Sequence, residues 1–257
     1  MVGLASEVPV SMRYRINLAA LEHAQKPSRG TPAYSRIVNR PVARRVAALA
    51  REVGMTPNTA TAISAAFTAA GLVLLAVAPP SWPVGFAVAM LLALGFVMDS
   101  VDGQLARLGL GGSAAGEWLD HNVDCVKTCA LHLAVLIAWY RYPPVDPPEA
   151  LLLPLGFQVI DLVVFFGFVM MPLLRRVHGH SAAPTRADQP AEHPLRAWLI
   201  LPTDYGAFCW MFVLLGWPAA FFTAYALMFA VNAAVLPLIL RKWWRELRSF
   251  DLVEAGR

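Results

Sequence analysis

Hydrophobic positions along the chain fall into long apolar runs separated by short polar links. Six runs, at residues 58–78, 83–106, 117–140, 150–174, 197–216 and 219–240, each approach the ~20 residues a helix needs to cross the ~30 Å hydrocarbon core of a bilayer. Thr56-Pro57-Asn58 opens the first, with Thr56 placed as an N-cap and Pro57 at the first helical position. The fifth is interrupted near its start by Pro202, Thr203 and Asp204. Ahead of the runs, Ile37, Val38, Val42, Val46, Leu49 and Ala50 form a stripe at helical spacing, with Arg36, Arg40, Arg44, Arg45 and Arg51 mostly off it. That pattern predicts a basic amphipathic helix over Tyr34–Val53, suited to an anionic membrane surface or to capping the end of a bundle. Residues 1–32 read as a polar arm with one short helix around Ile16–Ala24. The expected fold is thus all-α integral membrane: six transmembrane helices preceded by a cytoplasmic amphipathic helix. It divides into an arm (1–55), a six-helix membrane domain (56–241) and a cytoplasmic tail (242–257).

Charge placement predicts the orientation. The links at Pro79–Trp82 and Gly216–Pro218 carry no charge, and Tyr142–Glu149 carries only Asp146 and Glu149. On the other side fall the N-terminal arginines, Arg107, then Arg175, Arg176, Arg186 and Arg196, and finally Arg241, Lys242, Arg245 and Arg248. This alternation follows the positive-inside rule and puts both termini in the cytoplasm of a multi-pass inner-membrane protein. Trp82, Trp139, Tyr140, Trp217, Trp243 and Trp244 near the run ends fit an aromatic belt. Composition agrees: 58% of residues are hydrophobic and 15% charged, against about 25% charged in soluble domains. The net charge of +4 is spread over span ends, and no nucleic-acid partner is expected. The first residues lack a long apolar run and a small-residue cleavage site, so no signal peptide is expected. Cys125, Cys129 and Cys209 all lie in apolar runs; an odd number without metal-type spacing points to packing, not to a disulfide framework.

The stretch Asp99–Asp124, DSVDGQLARLGLGGSAAGEWLDHNVD, places four carboxylates among these runs. On a helix, Asp99, Asp102, Gly103 and Ala106 share one face, and Asp120 and Asp124 are i, i+4 neighbours on the next. The short Gly-rich link Leu108–Ala115 lets the two helices run antiparallel, so the four acids meet at one depth near the cytoplasmic side. Each ionisable residue inside a membrane costs about 2.5–3.5 kcal/mol on insertion scales, and converging carboxylates need compensating protons or cations. Hard oxygen ligands select Mg²⁺ or Mn²⁺.

The spacing Asp99-x-x-Asp102-Gly103-x-x-Ala106-Arg107, eight residues, Gly116, three residues, Asp120, three residues, Asp124 resembles the signature of the CDP-alcohol phosphatidyltransferase family, with every fixed position filled. The resemblance implies transfer of a substituted phosphate from a CDP-alcohol, with CDP-diacylglycerol the expected donor, to a hydroxyl acceptor. CMP is released, the setting is phospholipid biosynthesis, and the family expectation includes a homodimer. It implies Asp99, Asp102, Asp120 and Asp124 as ligands of one or two Mg²⁺ or Mn²⁺ ions, with Asp124 also the catalytic base. Gly103, Ala106, Arg107 and Gly116, together with Asn58 and Thr61, are implied for CDP binding. Lys127, one turn beyond Asp124, either pairs with that carboxylate or orients an acceptor phosphate. Arg175, Arg176 and Arg196 either form an acceptor phosphate pocket or simply mark the positive side. His121 and His132 read as packing residues. Asp161 either faces the cavity or hydrogen-bonds another helix, and Asp204 and Tyr205 are similarly open. Two other readings remain: an enzyme that uses a soluble CDP-polyol, and a small ion or proton transporter built on the same acids.

Overall fold

The computed structural model describes residues 9–24, 31–109, 112–145, 148–178 and 194–255. The N-terminal eight residues, Lys26, Arg29, Asp146 and Arg186 lie outside them, as does the side chain of Arg196. All regular structure among the described residues is helical: α1 (Val10–His23), α2 (Arg40–Glu52), α3 (Pro57–Val77), α4 (Trp82–Arg107), α5 (Ala114–Arg141), α6 (Leu152–Val177), α7 (Pro194–Leu199), α8 (Tyr205–Met211) and α9 (Pro218–Ala255), with short 3₁₀ or π turns between them.

Local chemistry fixes the helix starts. Thr56 accepts the Thr59 N–H at 3.2 Å, Ser81 the Val84 N–H at 3.4 Å and Ser113 the Gly116 N–H at 3.0 Å, so α3, α4 and α5 each open on a hydroxyl cap. The helix α2 closes at Gly54, whose φ of 70° is open to glycine without a Cβ penalty, and the Met55 N–H reaches back to Ala50 O at 2.9 Å. The α3–α4 pair packs through small side chains. Ser64 Oγ donates to Gly95 O at 2.7 Å, and Gly95 has Thr68 Oγ1 where a Cβ would stand. Such close backbone approach is how membrane helices gain contact when lipid offers no hydrophobic contrast.

Among the described residues, five helices are long and apolar enough to cross a membrane: Pro57–Val77, Trp82–Arg107, Ala114–Arg141, Pro148–Val177 and Pro218–Phe250. The segment expected as a span over 197–216 is not one helix. It breaks into α7, a 3₁₀ turn at Leu201–Thr203, α8, and a 3₁₀ stretch at Phe212–Gly216. Pro202 has no N–H to donate, and Asp204 caps α8 through the Gly206 N–H at 2.9 Å. Asp204 also takes the Ser35 N–H and Oγ–H, both at 2.8 Å, so the break is anchored to the N-terminal segment. At its other end α9 continues to Ala255 with no break at residue 241.

The N-terminal helices pack through only part of the predicted stripe, Ala50 and Val46. Asn39, Ala43, Ala47, Ala48 and Ala50 are buried, whereas Ile37, Val38, Val42 and Leu49 are exposed. The packed face of α2 is its alanine face, which lets α2 lie close against Leu21 of α1 and Val101 and Leu105 of α4. The first turn, Ser35–Asn39, is π-helical.

Helices α6 and α9 meet in the same order along both chains. Gly156 faces the Phe229 ring, Gly167 the Trp243 ring, and Arg175 the Glu246 carboxylate, the last at 2.6 and 3.0 Å. They therefore run parallel. Between α4 and the last 3₁₀ stretch the close contact is with backbone: a Cβ on Gly85 would stand 2.5 Å from Phe212 O and 2.9 Å from Val213 O. Gly85→Ala is expected to push these backbones apart and cost about 1–3 kcal/mol, read as a lower unfolding temperature in detergent. Gly112→Ala, whose Cβ would meet nothing closer than 3.9 Å, is expected to stay within about 0.5 kcal/mol of the parent.

Candidate active site

The site forms where the C-terminal end of α4 faces the N-terminal half of α5. Carboxylate oxygens of Asp99, Asp120 and Asp124 lie within 4.8 Å of one another, from two antiparallel helices joined by the short link after Arg107. Asp102, one turn along α4 from Asp99, is 6% exposed and lies against Asp120. The Thr61 hydroxyl is 2.9 Å from Asp102 Oδ2 and 3.1 Å from Pro57 O, so α3 holds this acid in place. The Lys127 ammonium donates to Asp99 and, at 3.0 Å, to Asp124. One cation therefore bridges the two helices through two of the four acids.

Two cavities flank the cluster. The larger, about 510 Å³, is lined by Asp102 and Asp120 together with Asn58, Thr61, Gly103, Ala106, Arg107 and Gly116. All six residues expected around CDP thus share one cleft. Gly116 sits against Asn58, whose Oδ1 would be 3.1 Å from a Cβ there, so α3 and α5 close the cleft wall by direct approach. The Arg107 Nε is buried without a hydrogen-bond partner, an orphaned donor beside a cleft sized for a nucleotide. Arg40 stands near enough to Arg107 to add to the positive potential. Burial first, and then Arg36, lower the Arg40 guanidinium's proton affinity. His121, expected in packing, instead lines this cleft, 3.8 Å from Asp120 and 4.0 Å from Glu117.

The second cavity, about 170 Å³, lies on the other side of Asp99, Asp124 and Lys127 and is walled by Thr68, Phe96, Thr128, Phe165 and Tyr205. Of these wall residues, which come from five separate helices, the sequence reading marked only Tyr205 and left its role open. Arg175 and Arg176 do not line it. Arg175 holds Glu246 in a two-point ion pair, and Arg176 reaches Glu117 at 3.1 Å. Deeper in the bundle, His132 lies 2.9 Å from Asp161 and 2.6 Å from the Tyr225 hydroxyl, stacked on Phe157. Asp161 thereby gains a partner on another helix. The three cysteines are free thiols.

The oxygen-only donor set fits a hard divalent cation, and the carboxylate spacing leaves room for one between α4 and α5. A cation there would face the cleft that holds Arg107, with Asp124 reachable from the second cavity.

A search of curated protein sequences finds no significant match. Among solved structures, the chain is similar to the Mycobacterium tuberculosis phosphatidylinositol phosphate synthase, crystallised with CDP-DAG bound. The two are 24% identical, with 80% of this chain and 94% of that one covered and a TM-score of 0.48. The profile of the CDP-alcohol phosphatidyltransferases matches residues 54–238, which takes in the carboxylate cluster, both cavities and α3 through most of the membrane part of α9. With this match over most of its length and five membrane-length apolar helices, the chain belongs to the CDP-alcohol phosphatidyltransferase family and is an integral-membrane phosphatidyltransferase of phospholipid synthesis.

Proposed function

We propose that the protein transfers the phosphatidyl group of CDP-diacylglycerol to a hydroxyl acceptor at the cytoplasmic face of the membrane, releasing CMP. The observation that carries this reading is the placement of four carboxylates between two cavities. One has the charge and size for the nucleotide half of a donor; the other opens on the opposite side of the same acids. A transporter built on the same acids would have no use for an orphaned arginine beside a nucleotide-sized cleft.

Asp99, Asp120 and Asp124, with Asp102 behind them, would hold Mg²⁺ or Mn²⁺. When bound, the cation neutralises charge developing on the donor's diphosphate. The chain's own groups do the rest. Arg107 contacts the diphosphate with a fixed, fork-shaped charge. Asn58 and the glycine faces at Gly103 and Gly116 admit the cytidine end. Asp124 takes the acceptor's proton as the hydroxyl oxygen bonds to the phosphorus carrying the diacylglycerol. The phosphoanhydride bond breaks, and its electron pair leaves with CMP. Lys127 keeps Asp124 aimed through its 3.0 Å hydrogen bond while the acceptor is absent.

Topology supports a sixth crossing. Since α6 and α9 run parallel, the chain between them must return across the bilayer, and Tyr205–Gly216 is the apolar segment available. At about 20 Å by helical rise it is short for the hydrocarbon core. The neutral Gly216-Trp217-Pro218 link and the arginines at the opposite ends then put both termini and the site in the cytoplasm. The exposed Ile37, Val38, Val42 and Leu49 beside a row of arginines suit the surface of an anionic leaflet.

In purified protein supplied with CDP-diacylglycerol, chelation by EDTA should stop CMP release and added Mg²⁺ or Mn²⁺ should restore it. Asp99→Asn, Asp102→Asn or Asp120→Asn should each lower that release by more than about 100-fold. Near-full turnover in two of the three would refute the ligand assignment. Lys127→Met leaves Asp99 and Asp124 facing each other without a counter-charge. Metal-free protein should lose about 2–4 kcal/mol of stability, and Mn²⁺ should raise its unfolding temperature more than it raises the parent's. Equal metal-induced shifts would show that the ammonium does not compensate these acids.

A further inference from the structure

We propose that the groove between α6 and α9 binds an anionic phospholipid, with one acyl chain lying along the helices and the phosphate at Arg241. The site stands apart from phosphatidyl transfer, because it shares no lining residue with either cavity flanking the acids.

The groove starts from helix packing. Gly167 has no side chain, and the Trp243 ring occupies the space a Cβ would need. That contact pins α9 to α6, and along it the two helices leave a trough of about 600 Å³. Phe166, Met170 and Leu174 face it from α6 at i, i+4 spacing, and Leu240, Trp244 and Leu247 face it from α9. At about 30 Å³ per water-sized group, this volume holds about twenty methylene-sized groups, the size of one long acyl chain.

Charge chooses the headgroup. Among the described residues, Arg241 is the only charged side chain in the wall, and it makes no hydrogen bond or ion pair with any of them. It lies 23 residues beyond Pro218 on α9. By helical rise that is about 34 Å, which puts the guanidinium where the ~30 Å hydrocarbon core gives way to headgroups. Trp243 and Trp244 follow at the depth that amphipathic rings prefer. Arg245 and Arg248, both exposed, continue the row at i+4 and i+7 from Arg241. The acid among them, Glu246, is held by Arg175. A row of arginines facing a phosphate favours a lipid with net negative charge over one whose choline cancels it.

The test uses full-length protein stripped of lipid in a nonionic detergent. Phosphatidylglycerol and phosphatidylcholine with the same acyl chains are titrated and followed by native mass spectrometry. Phosphatidylglycerol should bind with a Kd at least tenfold lower. Arg241→Gln should cut that preference at least fivefold. Lys242→Gln, which removes the same charge off the groove, should leave it within twofold. Equal affinities for the two lipids, or equal losses from the two substitutions, would overturn the proposal. Phosphatidylglycerol carrying a photoreactive acyl chain should label residues 163–174 and 240–247. Labelling confined to other segments would overturn it, as would loss of this labelling when a second copy of the chain associates. Displacement of the label by saturating CDP-diacylglycerol would also overturn it, by making the groove part of the donor site.

Discussion

Four carboxylates held together in a membrane are the constraint on which the rest of this structure depends. In the hydrocarbon region like charges are barely screened, and each acid carries its own desolvation cost. The protein meets this with groups supplied by neighbouring helices. Lys127 spans from α5 to Asp99 while also holding Asp124, and the Thr61 hydroxyl from α3 lies against Asp102. The remaining charge is what a divalent cation would neutralise. Because α3, α4 and α5 each supply part of it, their packing must be close and invariant. The Ser64–Gly95–Thr68 contact provides that closeness.

The two cavities follow from the same arrangement. Acids projecting from two antiparallel helices divide the space between them into a side toward the Gly-rich link and a side toward the bundle interior. The first inherits the positive end of the site through Arg107 and Arg40; the second inherits aromatic and hydroxyl walls. The two sides of the same acids thus differ in charge and in polarity.

Much of this was legible in the sequence, for identifiable reasons. The helices α3, α4, α5 and α6 were visible as apolar runs because their packed and lipid-facing sides are both apolar, and the carboxylate face because i, i+3 and i+4 spacing is a local property. The six cleft residues followed from the family resemblance and lie together. What the sequence hid is long-range. Asp204 looked like a flaw in a span, but it is a helix cap whose other partner, Ser35, is 169 residues away. The α2 stripe was open between a membrane surface and packing across the bundle end. The packed face is an alanine face that shares only Ala50 and Val46 with it, since small side chains permit close approach, and no hydropathy pattern separates the two. The second cavity's walls come from five helices and have no local signature at all. His132 and Asp161, each ambiguous alone, resolve each other only when α5 and α6 are brought side by side.

The N-terminal segment, read from sequence as a surface feature, is built into the scaffold of the site. Asn39 donates to Ser100 at 2.6 Å, immediately beside Asp99. Ser35 fastens Asp204, the Tyr34 hydroxyl takes the Trp210 Nε1–H at 2.9 Å, and the Tyr34 ring fills the notch at Gly206. Tyr205, the wall residue between the second cavity and the pocket that holds Asp161, sits between Asp204 and Gly206 in this clamp. The position of one wall of the second cavity is therefore fixed from outside the matched family region, by residues that line neither cavity. The helical segment that leaves Ile37, Val38, Val42 and Leu49 exposed on one face grips α4 and α8 through the other, so the seating of that segment and the shape of the second cavity are coupled.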